Sequence, residues 1–217
     1  MYLPYNNIDD SSITFSKHLE LCIILSLELL NLIRLTLKKI FTFLLVCLLA
    51  PIIAGVYGII HDQLTYSISP EYYTKCKFLQ FNISPSIPDR LGAASVGWRA
   101  SWWTGIPIGI ILGLVGFFHT DYKTMFKITM RAFLITIVLT IIFGIFGLLY
   151  GKLYLAHQPA YHFPQWYIPK NIIDFKNFIA VGSMHNFCYL GGLLGMISGI
   201  IYSIRILNNR KKENLNH

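Results

Sequence analysis

Residues 40–62 read IFTFLLVCLLAPIIAGVYGIIHD. The first 21 carry no charge, and the stretch ends on a histidine and an aspartate. Roughly 20 apolar helical residues cross the ~30 Å hydrocarbon core of a bilayer. The stretch therefore reads as a membrane span with ionisable groups at one mouth. Three further apolar runs lie at 102–118, 132–151 and 178–204. His185 is the only ionisable side chain in the last of them, cysteine and tyrosine aside. The spacing predicts four spans at about 40–60, 98–118, 132–151 and 180–204, with long connections at about 61–97 and 152–179.

Composition supports this fold class. The 217 residues are 54% hydrophobic and only 13% charged, against about 25% charged in soluble domains. A net charge of +8 does not indicate nucleic acid, because the basic residues flank the apolar runs instead of clustering on one soluble element. Eleven of them, from Lys17 and Arg34 through Lys38, Lys39, Lys123, Lys127 and Arg131 to Arg205, Arg210, Lys211 and Lys212, fall on one side of the predicted topology. Seven fall on the other: Lys75, Lys77, Arg90, Arg99, Lys152, Lys170 and Lys176. The excess marks the first side as cytoplasmic. Both termini are then inside, including a tail at 205–217, and the long connections are outside.

Ahead of the first span, 1–39 form a cytoplasmic segment. Its start, MYLPYNNIDD, lacks the basic n-region of a secretory signal. Within it, 19–37 are apolar but carry Glu20, Glu28 and Arg34. At 100° per residue these acids, Asn31, Arg34 and Lys38 share roughly 120° of arc, which predicts an amphipathic helix lying in the interface before the first span. Gly105, Gly109 and Gly113, and again Gly191, Gly195 and Gly199, recur every fourth residue. Such ridges let helix backbones approach closely, within the bundle or across a homo-oligomer seam.

The connection after the first span is aromatic and predicts a small folded extracytoplasmic cap. Residues 74–83 alternate loosely as a strand would, whereas Ser69-Pro70-Glu71 could open a helical turn with Ser69 as N-cap. Asn82-Ile83-Ser84 matches a glycosylation sequon. The segments HDQ…SPEYYTKCKFLQF and GWRASWWTGIPIG resemble a family of uncharacterised bacterial inner-membrane proteins of similar size. The resemblance covers roughly 57–113. It implies a multi-pass protein of the bacterial inner membrane and assigns no residue a role.

Topology gathers chemistry at the outer end. His61 and Asp62 close the first span, His157 follows the third, His185 opens the fourth, and Glu71 can fold back from the cap. Imidazole and carboxylate together suit Zn, Fe, Mn or Cu, and a bundle takes its ligands from several helices at one level. An ionisable residue inside a span usually faces the bundle and is usually functional, which gives His185 most weight. A haem between His61 and His185 fits poorly, both being near the surface. Arg99 and Lys152 stand at the same boundary and could pair with Asp62 or Glu71, or snorkel as anchors. His162 reads as a surface residue and His119 as cytoplasmic, and His18 and His217 take no role. Cys22, Cys47, Cys76 and Cys188 have no CxxC spacing; Cys76 and Cys188 are the pair a disulfide could join outside. No nucleophile elbow, HExxH or P-loop occurs. Three functions remain open: a metal-binding membrane protein, an accessory or assembly protein that binds a partner through its aromatic cap, and a small permease. The last is disfavoured by the scarcity of polar residues in mid-span.

Overall fold

The computed structural model describes residues 10–163 and 166–215, all helix, turn or coil with no strand among them. The acidic start at 1–9 and His217 lie outside the described residues, as does the side chain of His18. Four long helices dominate: α1 (Asp10–Ile68), α4 (Asp89–Gly116), α5 (Tyr122–Leu153) and α6 (Phe175–Leu215). Short helical turns fill the connections, including α2 (Pro70–Tyr72) and α3 (Phe78–Gln80). Three helical stretches, Leu19–Ile68, Tyr122–His157 and Phe175–Glu213, are long and apolar enough to cross a membrane. α4 is 28 residues long, but Gly, Trp and Pro dilute its apolar character.

The expected break between an interfacial helix and the first span is absent. α1 runs unbroken for 59 residues, about 88 Å at 1.5 Å per residue. No Gly or Pro occurs between residues 10 and 50, so nothing interrupts the hydrogen-bond ladder. Leu29, Leu30, Leu32 and Ile33 are all widely exposed. The apolar side chains of this segment therefore surround the helix instead of forming one stripe.

The long helices make two antiparallel hairpins, α1 with α4 and α5 with α6. Both predicted glycine ridges are spent inside the chain. Gly105 and Gly109 seat on Ala50, and Gly113 on Phe43. Gly195 seats on the Thr136 backbone, and Gly199 on Ala132. A Cβ on Gly58 would stand 2.2 Å from the Gly97 carbonyl oxygen, so the backbones touch there directly. Contacts between the two hairpins are sparser.

At one end, the α1–α4 connection packs with the segment before α6 around Tyr72, Tyr73, Phe163, Phe178, Ile179 and Val181. The strand-like reading of 74–83 is not met. A π-helical turn at Tyr73–Lys77 leads into α3. The chain then leaves α3 through Asn82, at φ 51°, with Ile83 N–H donating to the Phe78 carbonyl (2.9 Å) and Asn82 N–H to that of Leu79 (3.2 Å). That pair of bonds is a Schellman stop, with asparagine in the left-handed position glycine usually takes. Ser69 does precede α2, with Pro70 at the first position, but its hydroxyl makes no capping bond. At the opposite end Asp121 caps α5, accepting from Lys123 N–H (2.9 Å) and Thr124 N–H (3.0 Å). His119 is buried there, its Nε2 2.9 Å from Ser203 Oγ.

The two kinds of glycine should respond differently to a side chain. Gly58→Val should cost about 3 kcal/mol or more, since backbone cannot yield to an overpacked Cβ. Gly192→Ala should be near neutral, because its Cβ would meet only Thr140 Oγ1 at 3.7 Å. Thermal unfolding of the two variants in detergent checks this contrast.

Candidate metal centre at the closed end of the bundle

Asp62 sits in the last two turns of α1 and is 3% exposed. Gly97 on α4 gives it room: a Cβ there would lie 3.0 Å from Asp62 Cβ. Its Oδ1 lies 3.1 Å from His61 Nδ1 and 3.2 Å from His185 Nε2. The two imidazoles are 4.7 Å apart and nearly perpendicular. One carboxylate oxygen is thus shared by rings from α1 and α6, and this contact ties the first hairpin to the second.

A shell of aromatic and hydroxyl groups fixes the rings. Tyr72 stacks on His185 at 5.1 Å. Tyr73 is fully buried, with its hydroxyl 2.5 Å from Thr65 Oγ1. Thr65 Oγ1 in turn donates to the His61 carbonyl (3.1 Å). His185 Nδ1 lies 2.9 Å from the Val181 carbonyl oxygen, one helical turn back. A carbonyl oxygen only accepts, so Nδ1 carries a proton. In a neutral ring Nε2 then presents a lone pair, and that lone pair faces Asp62 Oδ1.

The other face of His61 meets a thiol. Cys188 Sγ lies 3.4 Å from His61 Nε2, and the Tyr57 hydroxyl donates to the same sulfur across 3.6 Å. Sequence reading missed both groups, treating Cys188 only as a disulfide candidate. All four cysteines are free. A legible signal existed: Tyr57 and His61 are four apart, and His185 and Cys188 three apart, so each pair shares one helix face.

Of the five residues named from sequence, His61, Asp62 and His185 come together; their ligand atoms all lie within 4.8 Å of one another, and no other such group occurs among the described residues. His157 is exposed on a 3₁₀ turn and stands outside the cluster. Glu71 also stands outside it, bound to Lys75 and to the backbone N–H groups of Ile173 (3.1 Å) and Asp174 (2.7 Å). Lys75 donates onward to the Asn171 carbonyl (2.6 Å). Glu71 therefore staples the first connection to the second. The expected ion pairs of Arg99 and Lys152 are absent among the described residues. Arg99 donates to the Phe81 carbonyl (2.6 Å) and lies over that ring. Lys152 is exposed. Lys75, one turn along, has already taken Glu71, and two imidazoles enclose Asp62.

No protein-family model, curated protein or solved structure matches the chain.

Lys75 first, then the Asp174 and Ile173 amides, hold the Glu71 carboxyl at about 2. A depressed folded pKa stabilises above the ordinary carboxyl value of 4.5 and is lost as pH falls towards 2. Hydrogen exchange at the Ile173 and Asp174 amides should therefore accelerate across that window. Glu71→Ala should accelerate it at neutral pH by about 10-fold, the loss of one or two charge-assisted bonds, and should flatten the acid dependence.

Proposed function

We propose that this is an integral membrane protein of four crossings that binds a divalent transition ion through His61, Asp62 and His185. α4 pairs with the most apolar part of α1 through Gly97, Gly105, Gly109 and Gly113, which supports its crossing alongside that helix. The basic residues, concentrated near His119 and the α6 tail, support a bacterial inner-membrane orientation with the cluster at the periplasmic end.

One observation carries the metal reading. The Val181 carbonyl holds a proton of His185 on Nδ1, so in the neutral ring Nε2 turns its lone pair to a carboxylate oxygen 3.2 Å away. A lone pair against an anion in a buried site is unfavourable, and a cation between them reverses the sign. Donating the distal N–H to a backbone carbonyl is also the usual outer-shell bond of a metal-ligating histidine. The 3.1 and 3.2 Å separations approach the ~3.3 Å between ligand atoms of a tetrahedral ion with bonds near 2.0–2.1 Å. Two histidines and one carboxylate with a free position suit Zn²⁺ or Fe²⁺ best among the candidate metals.

Elemental analysis of the detergent-purified full chain should find about one zinc or iron per molecule. His61→Ala, Asp62→Asn and His185→Ala should each weaken binding on the order of 100-fold or more, beyond the 10–100-fold typical of outer-shell partners. His157→Ala and Glu71→Ala should retain the ion. Full retention by the His61→Ala/His185→Ala double variant would sink the assignment. A chain that takes up neither metal would leave the His185–Asp62 contact as a polar link between the two hairpins.

A further inference from the structure

The sparse seam between the hairpins holds a partly open cavity of about 370 Å³, within the size range of small-ligand sites. Its ionisable groups are segregated, with the hydroxyls of Ser101, Thr104, Thr136 and Thr140 further along the walls. His61, Asp62, His185, Cys188 and Tyr57 gather at one end, and beyond them the walls turn mainly apolar through Ile53, Ile108, Phe133, Ile137 and Met196. The slot follows α1 from His61 to Ala50, about 16 Å at 1.5 Å per residue. That is close to half of the ~30 Å hydrocarbon core, the depth one chain reaches in a single leaflet. A second cavity of about 530 Å³ beside α1 also reaches Tyr57 and His61 but neither Asp62 nor His185, and is otherwise apolar, so it lacks the complete cluster.

Charge selects the head. With a divalent ion on two neutral imidazoles and one carboxylate, the buried centre keeps one net positive charge. An uncompensated charge is costly at low dielectric. A monoanionic oxygen head on the open coordination position removes that cost while its chain fills the slot. We propose that this cavity binds a single-chain amphiphile with a carboxylate head, a long-chain fatty acid, taken from the leaflet at the cluster end. The head assignment rests on the metal reading; the slot for the chain does not.

Gly192 supplies the test. It lines the cavity, and a Cβ placed on it meets only Thr140 Oγ1 at 3.7 Å. Gly192→Leu thus fills the slot without pressing on backbone, and Ala54→Phe fills it from α1 as a second, independent block. Radiolabelled palmitate is titrated onto the zinc-loaded full chain in detergent, with hexadecanol as competitor and metal content measured in parallel. Palmitate should saturate at one per chain. Hexadecanol should compete at least 10-fold more weakly. Both blocking variants should lose at least 10-fold in palmitate affinity with zinc retained. His185→Ala should lose both ligands. Palmitate that never saturates, or that binds both blocking variants like the parent chain, overturns the proposal. Equal competition by hexadecanol overturns the head assignment. A chain that holds no zinc yet saturates with palmitate, and loses it on blocking, removes the metal reading and leaves the slot standing.

Discussion

The fold turns on where a single carboxylate can be left ionised. Asp62 lies at 3% exposure between helices, where an unpaired anion would cost several kcal/mol. Two ring nitrogens face one of its oxygens, one from its own helix and one from α6. Because the second comes from the other hairpin, this contact also bears on how the hairpins meet. The glycine contacts hold each hairpin together, whereas this polar contact relates one hairpin to the other.

The division of labour explains the cavity. Where small residues face a neighbour, as Gly58 faces Gly97 and Gly195 faces Thr136, backbones meet and no space remains. Between the hairpins contacts are sparser and a cavity separates the helices. Gly192 shows the difference within α6 itself. Gly191 and Gly195, its neighbours in sequence and on the next turn, have their Cβ positions occupied by α5, and Gly192 alone opens towards the seam. The void is therefore a consequence of which helix face carries the glycine ridge.

Much of this was legible before any coordinates. Charge-free runs bounded by lysine and arginine predict the long helices, and the fourfold glycine spacing predicts their close packing. Helix direction alone brings His61, Asp62 and His185 to one end. Other readings failed for physical reasons. The α1 break was inferred from Glu20 and Glu28, but charge alone does not end a helix, and no Gly or Pro occurs between residues 10 and 50. Glu71 was assigned to the centre because it could fold back, yet Lys75 is one turn away and two backbone amides lie within reach. His157 lies beyond α5 in a 3₁₀ turn, where span order no longer fixes direction. Cys188 went unrecognised because a search for histidine and glutamate spacing passes over a His-x-x-Cys pair.

That pair links the centre to the thiol beside it. His61 has one nitrogen towards Asp62 and the other towards Cys188, so its single proton in the neutral form serves only one of them. With nothing between His61 and Asp62, the proton belongs on Nδ1, where the carboxylate accepts it, and Nε2 accepts from the thiol. A cation held at Nδ1 would leave the proton on Nε2, and the sulfur would then face two donors, His61 and Tyr57. Occupation of the centre would therefore be felt at Cys188 through one imidazole, as a change in which of the two groups donates the hydrogen bond between them.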